Sequence, residues 1–213
     1  MRAISFMLTT MFIWSLGGGL ANMQMIDRSE ILKRPVRTTE KQLLSADEAF
    51  HASLVTTRAY GGMAIVTDCA KSRVKEWQPD GKSLEETLND IVAANHNYRW
   101  ELQNGSIDLL PTSGEPILLQ TPIDKFHITT TSSLEALNYI MKQKTVQAAM
   151  QYLRLRSGLT IINYLSSSRE FVIDFKGGSL RDALNTIAAA NGTDIWQYKE
   201  IHCGDRHEVT IKF

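Results

Sequence analysis

Apolar residues along this chain recur with two periods, and the stretches that carry them occur twice. Leu84, Leu88, Ile91 and Val92 stand at i, i+4, i+7 and i+8, one apolar stripe on a helix. Leu180, Leu184, Ile187 and Ala188 repeat the stripe 96 residues later. Ser83 with Glu86 forms a capping box that sets where the first helix begins, and Ser179 caps its twin. Ala93-Ala94 and Ala188-Ala189-Ala190 keep this face slim, so a sheet can approach closely, and Asn95 and Asn191 are expected to end the helices at positive φ. Strands follow. Tyr98, Trp100 and Leu102 alternate onto one face and turn at Asn104-Gly105, a two-residue hairpin signal. Their counterparts are Trp196 and Tyr198, a turn near Gly204-Asp205, then Val209, Ile211 and Phe213.

The other half of each unit is of the same kind. Ser45 with Glu48 opens a helix bearing Phe50 and Leu54, ended by Gly61-Gly62 before a strand over 63–66. Val146, Met150 and Leu153 make the matching stripe, Gly158 ends that helix, and 159–162 is the matching strand. Phe171, Ile173 and Phe175 alternate as a further strand. An additional helix over 132–143 is out of phase with the next, which predicts a bend near Lys144.

The fixed offset holds from Gly62 to Trp100 without a gap, pairing Gly62 with Gly158, Ile65 with Ile161, Arg73 with Arg169 and Trp100 with Trp196; Arg58 on Arg154 extends it more weakly. Duplication at a fixed period means one supersecondary unit used twice. The expected fold is α+β: two tandem modules, each α-β-β-α-β-β, with helices packed on one face of a small sheet. Expected boundaries are a signal peptide over 1–21, a flexible tether over 22–41, a first module over 42–111, a proline-bearing linker over 112–131 and a second module over 132–213.

Composition narrows the function classes. Lys+Arg and Asp+Glu are both 23, so there is no basic excess to suit nucleic acid. Met1-Arg2 followed by an uncharged stretch to Leu20, with small residues at Gly19-Leu20-Ala21, reads as an export signal. The expected location after cleavage is periplasmic or secreted, with a membrane anchor only if the segment is retained; no Cys follows Ala21, so no lipid anchor is expected. The chain has two cysteines, Cys69 and Cys203, in different modules. In an oxidising compartment they can pair, but two separate thiols is the expectation.

Residues 171–184 (Phe-Val-Ile-Asp-Phe-Lys-Gly-Gly-Ser-Leu-Arg-Asp-Ala-Leu), followed by more helix and an aromatic strand, resemble the secretin and TonB short N-terminal (STN) domain. That family's pattern is a strand, a small residue, Ser-Leu-x-x-Ala-Leu, a helix and an aromatic strand. The first module looks like a degraded copy, with Pro79 and Asp80 before Gly81 and Thr87 where the second has Ala183. The resemblance implies a small periplasmic unit that contacts other proteins or envelope components, with no catalytic residues and no cofactor. Such units are usually fused to an outer-membrane barrel; none is expected after Phe213.

Candidate chemistry is sparse. His202-Cys203-Gly204-Asp205-Arg206-His207 offers metal ligands or a Cys203/His207 nucleophile pair, against the plainer reading of a polar hairpin tip, which is preferred because no metal-ligand spacing is present. His51, His96 and His127 are isolated. Glu85 and Glu86 lie in a first helical turn, where they complement the helix dipole. Trp77 lacks an aromatic twin and is expected to be an exposed binding anchor. The leading expectation is a non-enzymatic adaptor of the cell envelope that binds another protein, an outer-membrane channel, receptor or regulator, by adding a strand at a sheet edge. The alternatives are an envelope hydrolase using Cys203 and His207, and a peptidoglycan- or glycan-binding module.

Overall fold

A computed structural model describes residues 28–37, 42–68, 74–79, 81–158, 169–192 and 194–213; the expected signal segment 1–21 and strand 159–162 lie outside the described residues. The first half runs α1 (Arg28–Leu32), β1 (Gln42–Leu44), α2 (Ala46–Thr57), β2 (Gly61–Thr67), β3 (Lys75–Trp77), α3 (Leu84–Ala94), β4 (Tyr98–Gln103) and β5 (Ser106–Pro111). A 3-10 turn at Ile117–Gln120 leads to β6 (Pro122–Ile123), β7 (Phe126–Thr130), α4 (Ser133–Met141), α5 (Lys144–Tyr152), β8 (Arg156–Ser157), β9 (Phe171–Phe175), β10 (Gly178–Ser179), α6 (Leu180–Asn191), β11 (Ile195–Cys203) and β12 (Arg206–Lys212). The chain is an α+β protein.

The capping boxes form where the sequence places them. At α3 the Glu86 amide donates to the Ser83 hydroxyl oxygen, while the Ser83 amide and hydroxyl donate to the Glu86 carboxylate. Ser179 and Asp182 repeat this at α6. The stops differ from expectation. Asn95 has φ −140°, and Asn191 is the last residue of α6, with Gly192 at φ 87° beyond it. After α2 and α5 the left-handed residues are Arg58 and Arg154, at φ 54° and 56°, and not the downstream glycines.

Gly61 and Gly62 lie inside β2, for a reason of space. A Cβ on Gly62 would fall 1.8–2.3 Å from the Trp196 ring, and one on Gly61 would fall 1.9 Å from the Ile107 carbonyl oxygen. Backbone therefore runs directly against its neighbours here.

Strands of both modules join in one six-stranded sheet, ordered β4-β5-β2-β11-β12-β8. This corrects the expectation of two small sheets. Within it the module pattern repeats: β4 is antiparallel to β5 and β5 parallel to β2, just as β11 is antiparallel to β12 and β12 parallel to β8. The junction is parallel, β2 against β11, from Gly61 opposite Ile195 to Thr67 opposite Ile201. Because β5, β2 and β11 run the same way, β11 runs opposite to its counterpart β4. The second module is thus turned over by a half-turn about the axis crossing the strands.

Turning a module over moves its helices to the other face. Met63, Ile65, Ile107 and Leu109 pack on one face in a core with Phe50 and Leu54 of α2 and Leu84 and Leu88 of α3. Ala64, Leu110, Trp196 and Tyr198 alternate to the opposite face, in a core with Ile140 of α4, Val146 of α5 and Leu184 of α6. Helices therefore cover both faces of the shared sheet.

Two expected connectors are structured. Within the expected tether, Ile31 and Val36 are buried in the first core. Val36 donates its amide to the Lys82 carbonyl, Leu84 donates to Arg34, and Pro35 bridges Ser83. The expected linker makes the same contact one module later: Leu180 donates to Thr121, and Pro122 pairs with Ser179. Each module thus begins with a Pro-Val or Pro-Ile pair laid against its capped helix, because these apolar residues have a core to enter. The offset here is 87 and not 96, and the difference equals the nine residues of α4.

Candidate functional site

β4 is the terminal strand of the shared sheet. Its hairpin with β5 turns at Asn104-Gly105, φ 53° and 87°, so Gln103 and Ser106 face each other across a two-residue loop. In such a hairpin the flanking pair exchanges hydrogen bonds and alternate pairs do not. Hence the backbone groups of Tyr98, Trp100 and Leu102 point away from β5. Ile107, opposite Leu102, duly donates its amide the other way, to Tyr60.

The counterparts of Trp100 and Leu102 are Trp196 and Tyr198. On β11 these positions face β2 and pair there with Gly62 and Ala64. The same edge of the same unit is therefore filled in one module, while in the other it is the outer edge of the sheet.

This outer edge is held firmly. Trp100 donates its indole N–H to Asn89 Oδ1 on α3 at 2.9 Å, and Trp196 makes the equivalent bond to Asn185 on α6 at 2.5 Å. A shared tryptophan-to-helix bond thus underlies the recurrence of both tryptophans. Behind β4, Glu101 forms an ion pair with Arg181 of α6.

Arg181 anchors a cluster that the sequence did not announce. Its guanidinium, almost fully buried, meets Asp108 at 2.6 Å, Glu101 and, at 3.5 Å, Glu115. Asp108, with no exposed surface, also accepts from Asn185 at 2.8 Å and from Ser106 at 2.9 Å. Burial pushes the Asp108 and Glu115 carboxyls above their ordinary range, against the opposing pull of Arg181. Arg181 has Glu85 as its counterpart in the repeat, and the position opposite Gln197 that matches Asp108 opposite Glu101 is Lys212, so no duplicated signal marked the pair. Only charge inside apolar stretches (Asp108 in Ser-Ile-Asp-Leu-Leu) hinted at it.

Trp77, expected as an exposed anchor, is buried in the first core. Its counterpart Ile173 is buried too, so both fill the same core position of the repeat. Trp77 borders a cavity of about 250 Å³ with Ala49, Thr87 and Ile91, and its buried indole nitrogen has no hydrogen-bond partner among the described residues. A second groove, about 820 Å³, runs between α4, α5 and β12 past Leu137, Met141 and Met150.

At the other end of the sheet, β11 and β12 turn at Gly204-Asp205, the polar hairpin tip expected. Cys203 is disulfide-bonded, contrary to the expectation of two separate thiols, and in that form it presents no thiolate to a Cys/His reaction. Cys69, the other cysteine, lies outside the described residues. The physical ground is the β2–β11 pairing, which lays strands of the two modules side by side as far as Thr67 opposite Ile201. No such non-local parallel pairing was foreseeable from periodicity. His202 and His207 face each other across the hairpin, their Nδ1 atoms 3.0 Å apart, whereas His51, His96 and His127 are exposed and scattered.

No family model matches the chain, and no curated protein or solved structure matches it either.

Proposed function

We propose that this chain is an exported, non-enzymatic adaptor of the cell envelope that binds another protein by accepting a strand at the outer edge of β4. One observation carries the reading: the matching edge of β11 already receives a strand, β2, in parallel over seven residue pairs. An edge that accepts one strand by backbone hydrogen bonding has the geometry to accept another. The strand is rigid before binding, pinned by Trp100 to Asn89 and by Glu101 to Arg181, which lowers the ordering cost of association. Export is supported by the charged start and uncharged run of residues 1–21 and by the disulfide at Cys203, which suits an oxidising compartment. The resemblance of 171–184 to the STN domain points to the same class of role.

Leu102→Pro tests the reading. Its amide faces away from β5, so proline removes an outward donor without breaking the β4–β5 ladder. The parent chain is expected to capture a specific envelope protein from extract, and Leu102→Pro to lose it while keeping the parent's circular dichroism. Equal capture by both chains contradicts strand addition at this edge.

A further inference from the structure

A hydrogen-bonded line of four side chains runs from the core to the hairpin tip along one face of β11. The Tyr198 hydroxyl, fully buried, donates to Glu200 Oε2. Glu200 Oε1 lies 2.6 Å from His202 Nε2, and His202 Nδ1 lies 3.0 Å from His207 Nδ1 on β12. Tyr198, Glu200 and His202 share a face because strand side chains alternate, and His207 is the direct cross-strand partner of His202.

The protonation pattern follows from the chemistry. A carboxylate only accepts, so His202 carries its proton on Nε2, and its Nδ1 presents a lone pair toward His207. A carboxylate on the far nitrogen of an imidazole is the arrangement that fixes tautomer and ring direction in metal-binding histidines, and it raises ligand basicity. Here the carboxylate is itself fixed by Tyr198. The two Nδ1 atoms converge on a point beside a solvent-facing turn, on paired strands, with the His202 side chain 39% exposed. Two imidazoles on a tetrahedral zinc, at about 2.0–2.1 Å each, need nitrogens about 3.3–3.4 Å apart. The observed 3.0 Å is within a few tenths of that, well inside side-chain play.

We infer that His202 and His207 form a two-imidazole site for a borderline divalent cation of the zinc class, with Glu200 positioning His202. In the metal-free chain the His207 Nδ1–H donates to His202; on binding, that proton moves to Nε2 or to solvent, and both lone pairs turn to the metal. Among the described residues no group of three or more His, Cys, Asp and Glu is placed to hold a metal, so water fills the remaining positions. Imidazole donors favour zinc, copper and nickel over magnesium and calcium. The site stands apart from the β4 edge and does not depend on the adaptor reading.

Calorimetric titration of the full chain with ZnCl₂ tests the inference, with imidazole nitrogen NMR as the structural readout. One saturable site is expected, with shifts at both Nδ1 atoms. His202→Ala and His207→Ala should each abolish it, Glu200→Gln should weaken it about 10–100-fold, and MgCl₂ should give no such site. Absence of saturable zinc binding overturns the inference, and so does zinc binding that survives both histidine replacements.

Discussion

Arg58 and Arg154 occupy equivalent helix ends in left-handed backbone, and both side chains are exposed. An L-residue is strained there and glycine is not. Arg58→Gly and Arg154→Gly are each expected to raise stability by about 0.5–1 kcal/mol, read as a higher urea midpoint at unchanged slope. Gly62 is the opposite case, because its place is set by the Trp196 ring and not by φ. Gly62→Ala should destabilise by about 3 kcal/mol, as overpacked sites do, in the same assay. Trp77 carries the lesson about singular residues: lacking an aromatic twin made it look like an anchor, yet Ile173 shows that position to be core in both modules.

Titration adds a second residue-scale expectation. Asp108 and Glu115 have folded-state values raised above the unfolded ones, so the folded chain holds their protons more tightly. Their contribution favours folding at acid pH, below the ordinary 3.8 and 4.5, and declines as pH rises through the raised values. Glu48 and Glu86 act in the other direction. Hydrogen bonds from the side chains of Ser45 and Ser83, then from their backbone amides, hold these carboxyls below 4.5, and that stabilisation is lost as pH falls through the lowered values. Glu115→Gln should therefore flatten the decline on the alkaline side of 4.5 and leave the acid limb intact, measured as urea midpoint against pH. Asp108→Ala should cost about 3–5 kcal/mol, because it strips a buried partner from Arg181.

At the scale of elements, what was legible was local. Capping boxes fixed the starts of α2, α3 and α6, because a serine and an acid three residues apart suffice. Asn104-Gly105 fixed the β4–β5 hairpin, because a two-residue turn decides which residues pair. The break between α4 and α5 came at residues 142–143, as the phase change suggested. What was not legible was contact at a distance. Pro35-Val36 and Pro122-Ile123 read as connector because their partners lie some fifty residues on, and α4 shifted their spacing out of the repeat. Ser179→Ala removes the cap that both levels agree on and should lower stability by about 1 kcal/mol.

For the whole molecule, the decisive feature is the seam between modules. Parallel pairing of β2 with β11 joins residues 134 apart, and nothing in either strand's own pattern specifies that neighbour. Glycines at 61 and 62 were the available trace, since flat backbone is needed where Trp196 and Ile107 press close. The Arg181–Asp108 pair then locks α6 of the second module to β5 of the first. The joined sheet ends at β4 with the same edge that the seam consumes on β11, and this equivalence is the ground of the proposed adaptor role.

Backbone amide hydrogen exchange compares the two edges most directly. In the isolated chain the amides of Trp196 and Tyr198 should be protected to the level of global unfolding, while those of Trp100 and Leu102, at the matching positions, exchange fast and become protected only in complex with the captured partner. Slow exchange at Trp100 and Leu102 in the isolated chain, or no added protection in the complex, would contradict an open edge that binds by strand addition.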